Sequence, residues 1–201
     1  MIGLPGSGKS TLADSLLADE SLPSELLCSR EWNLQDTHTR RLISTDAIRA
    51  QLFGDEAIQG SWLKIWLEVR SQFHQAVSEI AADELEFALY DATNAVRKQR
   101  RAAIALARKA GFTHITGIWV NPTIEICLER NRLRSRQVPE EVIHRMARRL
   151  YGAPPSVEEG LDCLIETESQ TTSHPLLPTF SDPESNFPSH NEQSVNSPHA
   201  T

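Results

Sequence analysis

Apolar residues follow two alternating patterns along the first 166 positions, and each pattern is typical of one kind of element. Short apolar runs predict buried strands at 41–44, 87–90, 114–120 and 163–165. Apolar positions spaced three and four residues apart predict helices at 9–19, 46–53, 62–83 and 96–110, a helix from 121 toward 134, and another from 138. Strands that alternate with helices favour a parallel sheet with right-handed crossovers.

The longest predicted helix has its apolar face at Trp62, Ile65, Trp66, Val69 and Phe73. This spacing favours core packing for both tryptophans, and stacking against nucleic-acid bases is the alternative. Other helices have clear boundary signals: glycines at 54 and 111 follow two of them, and Pro122 is predicted in the first turn of a third.

Two stretches do not fit the alternation. Residues 19–40 have no clear period and are predicted to be an irregular insertion. From 167 to 201 the chain is rich in Pro, Ser, Thr and Asn and has no Lys or Arg. This composition predicts a disordered tail after a single domain at 1–166.

Charge and cysteine content narrow the class of protein. The 201 residues have a net charge of −7, which argues against a generally basic nucleic-acid coat but not against a local basic groove. Three cysteines without metal or redox spacing are typical of a reduced cytoplasmic protein. No apolar run approaches the ~20 residues of a membrane span, and neither a signal peptide nor a protein partner is indicated.

Residues 3–11 fit the phosphate-binding pattern G-x-x-x-x-G-K-[ST]. Backbone N–H groups of such a loop surround a polyphosphate, and the dipole of the following helix favours the same anion. Lys9 is then expected to reach the β- and γ-phosphates of ATP, and the Ser10 hydroxyl to ligate Mg²⁺. The predicted ATP-binding residues here are Gly3, Pro5, Gly6, Ser7, Gly8, Lys9, Ser10 and Thr11. The sequence therefore predicts a P-loop NTPase, an α/β three-layer sandwich.

The strand that leads into this loop is short in the given sequence. Only Met1 and Ile2 precede Gly3, whereas a central strand usually has about five residues. We therefore expect a truncated first strand. Two explanations are open: that the true start lies upstream of Met1, or that this version of the domain is impaired.

Polar side chains follow two predicted strands where the ligand crevice of a parallel sheet opens. Asp46 is suited to accept a proton from an attacking hydroxyl, and Arg49, one helical turn later, to bind an anion on the acceptor. Asp91 is expected to hold Mg²⁺ or to organise the acceptor site, and Asn94 to contact the acceptor. The alternatives are helix-capping roles for both aspartates and a surface position for Arg49.

Four arginines occur within seven residues, at 130, 132, 134 and 136. Arg130 and Arg134 are expected on one face of a helical lid that neutralises charge on the transferred phosphoryl group. The alternative is a solvated basic helix. Arg145, Arg148 and Arg149 extend the positive stripe.

Together, residues 3–11, Asp46 with Arg49, residues 91–94, and the arginines at 130–134 before Pro139 resemble a known family. It is the 5′-kinase domain of phage-type polynucleotide kinases, within a wider group of P-loop kinases that includes zeta-toxin-like and seryl-tRNA kinases. The resemblance covers about residues 1–165. It implies that Asp46 is the general base, that Arg49 contacts the acceptor, and that Arg134 contacts the ATP phosphates. The 19–40 insertion departs from the pattern, and no phosphatase domain is present.

The leading hypothesis is an ATP-dependent phosphotransferase that acts on a hydroxyl, either a nucleic-acid 5′ end or a small metabolite or nucleotide sugar. A nucleotide switch is disfavoured, because the chain has no Asn-Lys-x-Asp guanine motif and no Asp-x-x-Gly motif. A non-catalytic ATP-binding remnant is the third hypothesis.

Overall fold

Two pairs of parallel strands form the sheet in the computed structural model, which describes residues 1–18, 39–58 and 60–167. Strand β1 (Thr39–Ser44) pairs with β2 (Leu85–Asp91), and β3 (Thr116–Val120) pairs with β4 (Cys163–Thr167). The parallel sheet is thus confirmed. The predicted disordered tail and most of the predicted insertion lie outside the described residues.

The first residues of the chain connect the two strand pairs. The Met1 amine donates a hydrogen bond to the carbonyl of Tyr90 in β2, with a nitrogen–oxygen distance of 2.6 Å. Ile2 exchanges backbone hydrogen bonds with β3, at 2.8 Å to the Ile118 carbonyl and 2.9 Å from the Val120 amide. The order across the sheet is therefore β1, β2, residues 1–3, β3, β4. The short central segment runs parallel to β3 and leads into the phosphate loop.

Within the described residues, six α-helices connect the strands or follow them: α1 (Lys9–Ala18), α2 (Thr45–Phe53), α3 (Trp62–Ala81), α4 (Arg97–Ala110), α5 (Ile124–Arg132) and α6 (Glu140–Tyr151). A 3₁₀ turn, Val157–Glu159, precedes β4. Gly54 and Gly111 end α2 and α4 in the left-handed conformation, with φ of 83° and 118°, as the sequence predicted.

Both faces of β2 are covered. Ala88 and Tyr90 pack against an apolar cluster formed with α3 and α4, whereas Phe87 and Leu89 contribute to another cluster that includes Leu16 of α1. Alternate strand residues point to opposite faces, so helices lie on both sides of the sheet. This arrangement confirms the predicted three-layer fold.

Two local predictions were wrong. Helix α5 begins at Ile124, two residues after Pro122, and ends at Arg132, before Arg134. The other concerns the tryptophans of α3: Trp62 is 49% exposed, so it is not a core residue, and its ring stacks on half-buried Trp66 with 6.0 Å between ring centroids.

An apolar cavity of about 430 Å³ lies beside residues 1–2. Its walls include Leu89 of β2, Ile118 of β3, and Phe73 of α3. The cavity therefore lies between β2 and β3, next to Met1 and Ile2 of the central segment.

Candidate active site

The phosphate loop passes close to α5. Gly6 has a φ of 79°, and a Cβ atom there would lie 2.2 Å from the carbonyl oxygen of Cys127. A side chain at this position would collide with rigid backbone, so only glycine lets the loop pack on α5. The local sequence thus fixes the loop through both its turn geometry and its close contact with a neighbouring helix. Of the other predicted loop residues, Ser7 is buried, Pro5 half-buried and Thr11 exposed.

Lys9 folds back over its own loop. Its Nζ atom donates hydrogen bonds to the carbonyl oxygens of Gly3, at 3.0 Å, and Leu4, at 2.8 Å. These contacts hold the ammonium at the place where the loop amides converge. A polyphosphate bound there would take over the interactions that the two carbonyls now make.

The environment of Lys9 favours its neutral form more than water does. Burial lowers the pKa of Lys9 to about 8, and the charge of Arg134 acts in the same direction. The charges of Asp91, Cys127 and Asp46 oppose this shift. All of these groups therefore lie close enough to Lys9 to change the pKa of its amine.

Ser10 and Asp91 form a pair suited to Mg²⁺. The Ser10 hydroxyl donates to Oδ2 of Asp91 at 3.3 Å, and Oδ1 of Asp91 is buried without a hydrogen-bond partner among the described residues. A hydroxyl beside a buried, unsatisfied carboxylate oxygen matches the oxygen ligands that Mg²⁺ prefers. Asp91 is the last residue of β2, and the N-cap of the next helix is Val96, so Asp91 does not cap a helix.

Asp46 and Arg49 form an ion pair on the first turn of α2, between Oδ1 of Asp46 and Nη1 of Arg49. Ser44 is the N-cap of this helix, because its hydroxyl accepts hydrogen bonds from the amides of Asp46 and Ala47. Asp46 is therefore not the cap. Ser44 lies opposite Asp91 in the β1–β2 register, so the two aspartates follow neighbouring strands at one edge of the sheet.

Asn94 bonds to the start of the chain. Its side-chain amide donates to the Met1 carbonyl at 2.8 Å, and its backbone adopts a φ of 50°. The neighbouring Thr93 carbonyl accepts from the Gly3 amide at 3.1 Å. Asn94 thus holds the segment that leads into the phosphate loop, and its predicted contact with the acceptor stays a prediction.

The lid arginines approach the loop from two different places. Arg130, on α5, lies next to the phosphate loop, with Nη1 3.4 Å from the Ser7 carbonyl. Arg134 is exposed and lies in the connection after α5, so the two side chains do not share a helical face. Its charge lowers the pKa of Lys9, and its predicted contact with the ATP phosphates stays a prediction.

Comparison with protein families identifies the family of this chain. The model of an AAA domain family, AAA_33, matches residues 1–153. The chain belongs to the AAA_33 family. Its fold is a P-loop α/β sandwich, and the family indicates a nucleotide-binding domain of the kinase type. A search of curated proteins finds no match.

Two contacts near the candidate site were not predicted from the sequence. Asn131, only 2% exposed, bonds the backbone of Val138 at both ends of its side-chain amide. Arg136 pairs with Glu56 of the α2–α3 connection at 3.1 Å and so joins the lid to the opposite side of the site. Neither contact follows a helical or strand period, so only the folded path of the chain identifies them.

None of the helices within residues 1–18, 39–58 and 60–167 combines the length and the apolar character needed to cross a bilayer.

Proposed function

We propose that this domain transfers the γ-phosphoryl group of ATP to a hydroxyl acceptor. The observation that carries the proposal is the arrangement at one edge of the sheet. Lys9 lies over the phosphate loop, Ser10 bonds to Asp91, and the Asp46–Arg49 pair follows Ser44, which lies opposite Asp91. Phosphoryl transfer requires little more than this: a bound polyphosphate, a group that accepts the hydroxyl proton, and positive charge around the moving group.

ATP binds through its phosphates to the loop at residues 3–11, and the Lys9 ammonium moves from the Gly3 and Leu4 carbonyls to the β- and γ-phosphates. Ser10 and Asp91 are the residues that would hold Mg²⁺. The ion, when bound, neutralises charge on the β- and γ-phosphate oxygens. Contact with the phosphates also raises the pKa of Lys9 and keeps the amine charged.

Asp46 is the base. The acceptor hydroxyl gives its proton to Oδ2 of Asp46, while Oδ1 stays paired with Arg49. The hydroxyl oxygen forms a bond to the γ-phosphorus, the bond from that phosphorus to the β–γ bridging oxygen breaks, and ADP leaves. Arg134 and Arg130 neutralise the charge that the transferred group carries.

For the acceptor, we favour a nucleic-acid 5′-hydroxyl over a small metabolite. Trp62 presents half of its surface to solvent, and its indole is large enough to stack on a base. Helix α2 ends beside the start of α3, since Gly60 lies against the ring of Phe53. A strand whose 5′ end meets Asp46 would follow α2 toward Trp62, and a small metabolite would not extend that far.

The test is transfer of radiolabelled γ-phosphate from ATP to a panel of acceptors. The panel contains a single-stranded oligonucleotide with a 5′-hydroxyl, the same oligonucleotide already phosphorylated at its 5′ end, nucleosides and simple sugars. We expect label on the 5′-hydroxyl oligonucleotide alone. Label on a sugar or nucleoside would make this a small-molecule kinase, and ATP binding without transfer to any acceptor would leave a non-catalytic nucleotide-binding domain.

A further inference from the structure

The arginine-bearing connection between α5 and α6 is closed at its base by one side chain. Asn131 lies on the last turn of α5 and is almost fully buried. Its Nδ2 donates to the Val138 carbonyl at 2.8 Å, and its Oδ1 accepts from the Val138 amide at 2.9 Å. The side-chain amide thereby pairs with one backbone residue as a neighbouring strand would.

This clamp encloses the segment from 132 to 137, which we call the arginine loop. Its tip contains Arg134 and Arg136, and Leu133 beside them is 82% exposed. A second, exposed contact joins Gln137 Nε2 to the Arg132 carbonyl at 2.8 Å. A short loop closed twice at its base has few conformations open to its tip.

Rigidity of this kind matters because Arg134 lies beyond the end of α5, where its amide donates to the Asn131 carbonyl at 3.3 Å. The proposed function assigns its side chain to the phosphates. An arginine on a free connection would lose side-chain and backbone freedom each time it met the phosphates. The clamp removes much of that freedom before the nucleotide arrives.

We propose that Asn131 is a positioning residue that holds Arg134 over the phosphate site through its pair of hydrogen bonds to Val138. The proposal rests on the phosphotransferase function and adds the residue that organises the lid. Asn131 does not contact the nucleotide itself; its effect passes through the arginine loop. The contribution of Asn131 should therefore depend on the presence of Arg134.

The experiment is a double-mutant cycle with Asn131→Ala and Arg134→Ala, measured on turnover and, in parallel, on the affinity for Mg-ATP by calorimetry. We expect Asn131→Ala alone to lower turnover by about 10–100-fold, since a misplacement of about 1 Å can cost that much. In the Arg134→Ala background the same change should have almost no further effect. Leu133→Ala, in the same loop, is the control and should leave both quantities unchanged.

Asn131→Ser is the second variant. Its hydroxyl keeps a polar group at this buried position but is too short to bond both the amide and the carbonyl of Val138, so turnover should fall by a smaller factor than in the alanine variant. It also serves if Asn131→Ala does not fold. Hydrogen exchange of residues 132–138 in the nucleotide-free protein should speed up in both variants.

The outcomes separate the two proposals. If wild-type protein binds Mg-ATP but transfers no phosphate, the proposed function fails, and the binding cycle with hydrogen exchange still decides the role of Asn131. If Asn131→Ala weakens turnover or binding by the same factor with and without Arg134, or if exchange in the arginine loop does not change, the positioning role is overturned.

Discussion

At the scale of single residues, the charges around Lys9 determine how nucleotide binding responds to pH. Its pKa is about 8, because burial outweighs the nearby carboxylates. Above this pH an increasing part of the amine is therefore neutral, and contact with phosphates raises its pKa again. We expect ATP binding at pH 8.5 to take up a substantial fraction of a proton, and affinity to fall as the pH rises above 8.

This proton uptake is measurable by calorimetry in two buffers with different ionisation enthalpies. Lys9→Arg is the control, because a guanidinium stays charged throughout this range. The variant keeps the Met1 amine, whose pKa burial lowers to about 6. Any proton uptake that remains in the variant therefore comes from a group other than residue 9. Equal uptake by wild type and Lys9→Arg would contradict the assignment to Lys9.

Asp46 offers a direct test of the proposed base. Asp46→Asn keeps the size of the side chain but removes its ability to accept the hydroxyl proton. We expect turnover to fall by about 10²–10⁴-fold, with ATP affinity nearly unchanged. Asp14→Asn, at an exposed position on α1, is the matched control. A loss confined to ATP affinity would instead assign Asp46 to the metal and phosphate site.

Sequence reasoning located the residues whose roles follow from local pattern. Lys9 and Ser10 belong to a fixed motif, and Arg49 lies one helical turn after Asp46, where the ion pair is found. The contact of Asn131 could not be predicted, because its partner is a backbone group seven residues away on a connection with no periodic pattern. The bond of Asn94 to Met1 was missed for a similar reason, because it depends on the assembled sheet.

Between elements, a buried ion pair attaches α4 to the 3₁₀ turn. Arg100 and Glu159 are 2% and 0% exposed, and Nη2 of Arg100 lies 2.5 Å from Oε1 of Glu159. Arg100 also donates to the Ala153 carbonyl at 2.7 Å, which joins the end of α6 to the same point. Arg100→Ala would leave the Glu159 carboxylate buried beside only the more distant Arg97, so we expect a loss of about 3–5 kcal/mol in unfolding free energy.

Chemical denaturation measures this loss. Arg101→Ala, at the exposed neighbouring position, should change the unfolding free energy by less than about 0.5 kcal/mol. Replacing both partners, by Arg100→Met with Glu159→Leu, should recover much of the stability, since no unpaired charge remains. If Arg100→Ala were as stable as Arg101→Ala, this pair would not hold the two elements together.

The ends of α5 show where the prediction of helix bounds from sequence fails. Nothing in the residues from Leu133 to Arg136 interrupts a helix, so periodicity alone extended α5 to Arg134. In the folded chain, Asn131 bonds to Val138, and the arginine loop leaves the helix axis after Arg132. Helix α4 was predicted closely because its end is local: Gly111 adopts the left-handed conformation that stops a helix.

At the scale of the whole molecule, the sheet holds together around a short central segment. Met1 and Ile2 connect β2 to β3 ahead of the phosphate loop, and the apolar cavity of about 430 Å³ lies beside them. Empty apolar volume lowers stability, because the side chains around it lose contacts. The geometry of the phosphate loop and the stability of the sheet are therefore coupled through the same few residues.

An extension engineered ahead of Met1 tests this coupling. Four apolar, β-branched residues joined to Met1 would enter the cavity between β2 and β3 and bury three or four side chains, each worth about 1.5–3 kcal/mol. At roughly 2–4 °C per kcal/mol for a domain of this size, the melting temperature should rise by about 10 °C or more. ATP affinity should rise with it, because the segment that carries the phosphate loop becomes fixed on both sides.

A Gly-Ser extension of equal length is the control for chain length alone. Calorimetric melting and ATP titration of the three proteins give the answer: equal melting temperatures for the two extensions would mean that the cavity does not accept a strand.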